Sequence, residues 1–292
     1  MHHSRAITRK SASNLALAFV LLPKSKRDAM SALYAFCREV DDLADEETVP
    51  TEERRTQLAK WRGDIKCACD NQMPQFPVNQ ELQPVIQKFS LPFELFDTLI
   101  KGCEMDLEIK RYENFEQLES YCYCVASAVG LLSIEIFGYQ DPATRTYAVH
   151  LGRALQLTNI LRDVKTDAAR GRIYLPRSEW QKFNVTEDEI LNGQYSDRYF
   201  ALAASIAGRA KNLYQLARQT LSATDRKPMV AAELMRAVYW QLLLKLERKK
   251  FNVFGPKPVR LGKLQKLFLV FLFAIRADRM LDCVPVGKPV KD

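Results

Sequence analysis

A chain of 292 residues with 47% apolar content can bury a substantial core. Its formal net charge of +8 suits an anionic ligand, a nucleic acid or an anionic membrane surface, without choosing among them. Seven cysteines in so long a chain do not make a disulfide scaffold, three histidines leave little for nitrogen ligation of a metal, and the C-x-C pairs at Cys67/Cys69 and Cys122/Cys124 lack zinc spacing.

The stretch "SRAITRKSASNLALAFVLLPKSKR" sets basic residues before the apolar run Leu15 to Leu22, as a signal peptide does. That run ends at Pro23 and Lys24 with no small-x-small cleavage site, so it reads as a first helix. In "YAFCREVDDLADEE" (34–47), helical spacing puts Tyr34, Arg38, Asp41 and Asp45 on one stripe with Asp42 on its flank. Like charges at that spacing repel and Asp is a poor helix former, so the stripe is either a solvated helix end or a trap for cations. Glu46 and Glu47 belong to the solvated end. Residues 72–92 hold four of the thirteen prolines and read as a connector.

Further along, "YCYCVASAVGLLSIEIFG" removes side-chain bulk at Ala126, Ser127, Ala128 and Gly130 inside an apolar helix. Glycine there costs about 1 kcal/mol against alanine, which points to close approach by another helix or by an apolar ligand tail. Asp141-Pro142 starts the next helix, and "LQLTNILRDVKTDAARGRIYLP" carries a second polar face: Asn159, Asp163 and Asp167, extended backwards through Gln156 and Gly152. Thr186 to Glu189 reads as a capping box. "LFLVFLFAI" (267–275) is far below the ~20 residues of a membrane span, and serves as a core helix or as a face resting on a membrane. Lys249, Lys250, Lys257, Arg260, Lys263 and Lys266 stand near it and suit anionic lipid. With helical apolar spacing between the prolines, no strand alternation and no compositional break, the expected architecture is a single all-α domain over 1–292. It has roughly eight to ten helices, the last at about 260–281.

Two helices presenting oxygen ligands four residues apart can face each other across a bundle and build a metal site. Hard oxygen donors without His or Cys suit Mg²⁺ sharing its shell with water and phosphate oxygens. Arg38, Arg162, Arg170 and Arg172 supply forked donors for phosphate, or salt bridges to the neighbouring acids. No P-loop, G-x-S-x-G or GxGxxG is present, so no nicotinamide cofactor is expected. "LERKKF" (246–251) is too little for a nucleic-acid partner.

Together "YAFCREVDDLADE", "YCYCVASAVG" and "LGRALQLTNILRDVKTDAARGRIYLP" resemble the squalene and phytoene synthase family, the head-to-head prenyl synthases, over about residues 10–255. The resemblance implies an isoprenoid-synthase helical bundle around a central cavity, holding two prenyl diphosphates with two or three Mg²⁺ ions. By the same resemblance Asp41, Asp45, Asn159, Asp163 and Asp167 are metal ligands and, with Tyr121, the catalytic set. Tyr34, Arg38, Arg162, Arg172 and Tyr174 match positions that hold diphosphate or complete its pocket, and Asp106, Gln156 and Tyr239, like Tyr121, match cavity residues.

Within the family the chain is most like the bacterial presqualene diphosphate synthases of squalene and hopanoid biosynthesis. These join two farnesyl diphosphates (1'-2-3), release diphosphate, and leave reduction to a separate redox enzyme. Phytoene synthase acting on two geranylgeranyl diphosphates, squalene or dehydrosqualene synthase, and a non-catalytic assembly factor on the same fold are the alternatives. The implied setting is cytoplasmic with reduced thiols, in peripheral contact with the inner face of the membrane. Four positions depart from the family pattern: Asn14 and Leu15 stand where serines and an aromatic are common, Thr166 where an acid is common, and Cys124 where Arg or Gly is common.

Overall fold

The computed structural model describes residues 2–10 and 18–275. The Asn14 and Leu15 departures and the far end of the expected last helix lie outside those residues. The first helix, α1 (His2–Lys10), has its free N–H groups of His3 and Ser4 satisfied by the Glu81 carboxylate at 3.0 and 2.9 Å. A 3₁₀ turn at Phe19–Leu21 passes through Pro23 into α2 (Lys24–Asp45), which buries Met30, Leu33, Phe36 and Val40 and turns Arg38, Asp41 and Asp42 away from them.

Next come α3 (Thr51–Cys69), α4 (Pro77–Phe89) and α5 (Phe93–Glu108). Helix α4 corrects the connector reading of residues 72–92. Pro77 takes the first helical turn, where a missing N–H costs nothing, and Pro84 lies inside the helix on an exposed face. The carbonyl four residues before Pro84, that of exposed Gln80, can turn to water. Burial of Val78, Leu82, Val85 and Ile86 on the other face holds the helix together.

Helix α6 (Phe115–Phe137) contains a π-helical turn at Tyr123–Ser127. It is long and apolar enough to cross a bilayer, but half of its most apolar window is buried inside the protein and its later turns line the central cavity. Its apolarity thus serves the interior. The π turn stands where two other helices come close: a Cβ on Gly152 would lie 2.8 Å from Ser127 Cα, and one on Gly102 would lie 2.6 Å from Val125 Cγ1. The small residues seen in the sequence therefore admit helix backbone. Gly130 does the same towards the Ala148 carbonyl, at 3.1 Å, and also borders the cavity.

The long α7 (Ala143–Ala169) is the central element, packed against α6 and the helices after it. Asp141 starts it by accepting the Ala143 N–H at 2.9 Å. The loop behind α7 is fastened by buried Asp225, which accepts the Gln140 and Asp141 N–H groups at 2.9 and 3.0 Å and the Thr144 hydroxyl at 2.6 Å. Then follow α8 (Arg177–Lys182), α9 (Glu187–Leu191) with the expected Thr186/Glu189 capping box, α10 (Asp197–Thr220), α11 (Val230–Arg248) and α12 (Lys263–Ile275). Among the described residues the sole β feature is an isolated bridge between Arg111 and Ile173.

Helix α12 divides the "LFLVFLFAI" segment. Phe273 is buried at 2% exposure, whereas Leu264, Leu267, Phe268 and Phe271 are 57–82% exposed along one face. The core reading therefore holds for one side of this helix alone.

Candidate active site

Both polar stripes open on one cavity of about 890 Å³. From α2 it receives Tyr34, Arg38, Asp41 and Asp45; from α7, Gln156, Asn159, Arg162, Asp163 and Asp167; from α11, Tyr239. Along α7 the lining changes from Tyr147, Ala148 and Leu151 at one end to Asn159, Asp163 and Asp167 at the other. The cavity is therefore graded, with greasy walls at one end and carboxylates at the other.

The carboxylates differ in their partners. Arg38 donates to Asp42 at 3.0 Å and to Asp41 at 3.2 Å, and Arg162 donates to Asp163 at 2.8 Å. Asp45 is held between Arg170 and Arg172, each at 2.8 Å, which ties the end of α2 to the loop after α7. Asp41 opens on the cavity, with 55% of its side chain accessible to water in the lumen, yet protein surrounds it. Burial and the charge of Asp45 push its carboxyl up to about 7 against the pull of Arg38. Burial and the charge of Asp163 likewise push Asp167 up to about 7. At Asp45 burial also acts upwards, but the Arg172 and Arg170 hydrogen bonds outweigh it and hold the group below its ordinary value. Glu46 and Glu47 are exposed.

Four of the expected site residues lie behind the cavity wall. The Tyr121 and Tyr174 hydroxyls donate to the two oxygens of buried Asp106 at 2.9 and 2.7 Å, with their rings stacked 5.2 Å apart. Arg172, 4% exposed, borders a small void with Tyr174 and Asp167. This layer braces the acidic end: Asp106 fixes two rings, and Arg172 fixes Asp45.

Sequence reasoning did not reach several residues. Tyr112 is buried and completes the aromatic stack, 5.5 Å from Tyr121 and 5.8 Å from Tyr174, an arrangement of residues distant in sequence with no local signal. Arg170 was noticed, but its bond to Asp45 across 125 positions was not readable. Arg260 and Lys266, which suit anionic lipid by sequence, also line the cavity. Burial, then the charges of Arg260 and Arg162, lower the Lys266 ammonium below its ordinary value, so cations crowd this rim as they do where an anion is to be bound. Thr166 donates its hydroxyl to the Asp163 carbonyl at 2.8 Å, and Cys124 packs against Gly102. Cys37 also lines the cavity; burial, then the Asp41 charge, pushes its thiol up to about 12.

The donor set fits hard divalent cations. The Asn159 Oδ1 atom is buried with no hydrogen-bond partner among the described residues, so an acceptor oxygen stands on the same cavity-lining stripe as Asp163. Among the described residues no three His, Cys, Asp or Glu side chains converge as a ready-made cage. Mg²⁺ keeps waters and takes substrate phosphate oxygens rather than an all-protein shell, so oxygen donors from two helices are ones it can use.

A helical bundle folded around an apolar cavity with paired acidic helices at one end defines an isoprenoid-synthase fold of the prenyltransferase class. The family model for squalene/phytoene synthase matches residues 8–265. A presqualene diphosphate synthase of Rhodopseudomonas palustris is 36% identical, covering 90% of this chain and 93% of that protein. A phytoene synthase of Arthrospira platensis is 35% identical, covering 87% and 85%. Among solved structures, squalene synthase HpnC from Alicyclobacillus acidocaldarius superposes with a TM-score of 0.79 at 29% identity, covering 86% of this chain and 94% of that one. A dehydrosqualene synthase in complex with ligand gives 0.81 at 29% identity, covering 93% and 94%. The chain belongs to the squalene/phytoene synthase family and is a prenyltransferase.

Proposed function

We propose that the chain joins two farnesyl diphosphates head to head, releasing diphosphate and a proton and forming presqualene diphosphate. The observation that carries this reading is the single graded cavity, acidic and cationic at one end and apolar at the other. Asp41, Asp45, Asn159, Asp163 and Asp167 would hold two or three Mg²⁺, which when bound neutralise the charge developing on the leaving diphosphate. Arg38 and Arg162 line the same space and can exchange their carboxylate bonds for forked bonds to phosphate oxygens.

The C1–O bond of the donor breaks and its electron pair leaves with the diphosphate, so the tail becomes an allylic cation. The double bond of the acceptor attacks C1, and loss of a proton closes the cyclopropane. Apolar side chains such as Val129, Leu155 and Met235 would keep water from that cation, and Tyr34 and Tyr239 add aromatic rings to the same lining. Tyr121, Tyr174 and Asp106 hold the wall behind it.

Purified protein given farnesyl diphosphate and Mg²⁺ is expected to yield a thirty-carbon diphosphate by mass spectrometry, with none when EDTA replaces Mg²⁺. A product from geranylgeranyl diphosphate alone would favour the phytoene-type reaction. A separate redox enzyme would consume the presqualene diphosphate.

The exposed face of α12 suits the inner surface of a membrane, because Leu264, Leu267, Phe268 and Phe271 follow helical spacing next to exposed Lys263 and close to the rim residues Arg260 and Lys266. A thirty-carbon product leaving near that rim would meet lipid directly. Protein is expected to sediment with phosphatidylglycerol vesicles at low salt and to remain in the supernatant after Phe268→Ser with Phe271→Ser. Wild-type protein that stays in the supernatant would remove this reading.

A further inference from the structure

We propose that Tyr147 is the stop that sets prenyl chain length in this cavity. The proposal rests on the farnesyl reading above and names the residue that enforces it. Tyr147 is the first residue of α7 to border the cavity, at the end opposite the carboxylates, and its ring is closely packed on its other sides. Just before it in the chain, the Asp225 bonds to Gln140, Asp141 and Thr144 fasten the start of α7.

The ring is pinned in place. Its hydroxyl donates to Glu233 Oε1 on α11 at 2.9 Å, and Glu233 Oε2 accepts from Arg236 Nε at 2.8 Å. Glu233 and Arg236 are each 2% exposed, so a complete ion pair has been buried in an apolar floor where two apolar side chains would pack at no desolvation cost. Holding a hydroxyl that crosses from α7 to α11 accounts for that pair. Met30, Ile134 and Phe137 border the same end, but they have only packing to hold their rotamers, whereas Tyr147 cannot swing aside without leaving a carboxylate oxygen unpartnered. Ala148, Ala231 and Ala232 beside it are small, so the tyrosine ring supplies the bulk on this side of the floor.

The length agrees. From Tyr147 to Asn159 helix α7 rises about 18 Å, at about 1.5 Å per residue. With C–C bonds of about 1.5 Å, an extended farnesyl chain spans roughly 14 Å and a geranylgeranyl chain roughly 19 Å. Once the diphosphate occupies the acidic end, the shorter chain fits above the ring and the longer one meets it.

The test is a competition with Mg²⁺ and equal amounts of farnesyl and geranylgeranyl diphosphate, read by mass spectrometry as the ratio of forty- plus thirty-five-carbon products to thirty-carbon product. A ratio is insensitive to loss of folded enzyme. Wild type is expected to give mainly thirty carbons, and Tyr147→Ala to raise the ratio at least about tenfold. Tyr147→Leu, which keeps apolar packing, carries the test if the alanine variant does not fold, with the same expected direction. Tyr147→Phe keeps the ring but gives up the bond to Glu233, and is expected to raise the ratio by less than the alanine variant does; an unchanged ratio would overturn the pin, and a shift as large as that of the alanine variant would overturn the ring as the stop. A wild type that favours thirty carbons, with alanine and leucine variants of unchanged ratio, overturns the stop alone. If wild type favours forty carbons, the farnesyl reading falls and the stop falls with it.

Discussion

Asp41→Asn and Asp167→Asn are each expected to lower product formation by about a thousandfold while raising the melting temperature of metal-free protein at pH 8. The loss of rate follows from the proposed reaction, in which each would be one of the charges holding cations against the leaving diphosphate; single preorganised electrostatic contacts of this kind are worth roughly a hundred- to a thousandfold. The gain in stability follows from the strain of keeping these carboxylates ionised without a cation. Each is pushed from an ordinary value of 3.8 up to about 7 in the folded chain, so between those values the folded state binds more protons than the unfolded one.

Stability of the metal-free protein therefore falls as pH rises from about 4 through about 7, and each asparagine removes its own residue's share of that fall. Water in the cavity screens the effect at Asp41, so a net gain of about 1 kcal/mol, or about 2–4 °C, is the expected size. Mg²⁺ binding requires the ionised forms, hence the stabilisation it gives wild type should be small at pH 5.5 and large at pH 8. Thermal melts with EDTA and with Mg²⁺ at the two pH values check all of this. Variants that melt below wild type in EDTA at pH 8 would contradict it.

The second large effect is expected at Arg172. Its guanidinium is 4% exposed and bonded to Asp45 at 2.8 Å, so Arg172→Met leaves a partly buried carboxylate with Arg170 as its remaining partner. Removing one member of a buried pair costs about 3–5 kcal/mol; because Asp45 is 32% exposed and keeps Arg170, about 2–3 kcal/mol is expected here. At about 2–4 °C per kcal/mol that is a fall of roughly 4–12 °C. Adding Asp45→Asn should restore part of the loss, since the stranded charge goes with it, whereas two independent sites would simply add. An Arg172→Met melting temperature equal to wild type would mean that this bridge does not hold α2 to the loop.

These two predictions mark the boundary of what could be read from the sequence. The acidic stripes were legible because a helix repeats its faces every three to four residues, so Asp41/Asp45 and Asn159/Asp163/Asp167 declare a shared face locally. That both faces meet in one cavity is a tertiary fact, and the Arg172 to Asp45 bond spans 127 positions. The proline-rich residues 72–92 misled because proline was counted without its surroundings: Pro77 begins α4 and Pro84 sits on the water-facing side. The close approach at Gly130 was anticipated, but the tighter ones at Gly102 and Gly152 depend on the π turn of α6, which no local composition announces. At α12 the segment's apolarity was plain, yet its division into buried Phe273 and an exposed stripe is decided by what it packs on.

Cys37 bears on how this enzyme could be blocked. A cysteine on the wall of an active-site cavity invites an electrophilic inhibitor, but only a thiolate attacks an electrophile readily. With its thiol pushed up to about 12, Cys37 carries almost no thiolate at neutral pH, so acrylamide or chloroacetamide warheads reaching it have little nucleophile to meet. Compounds that mimic a diphosphate and occupy the arginine-rich rim have better chemistry on offer.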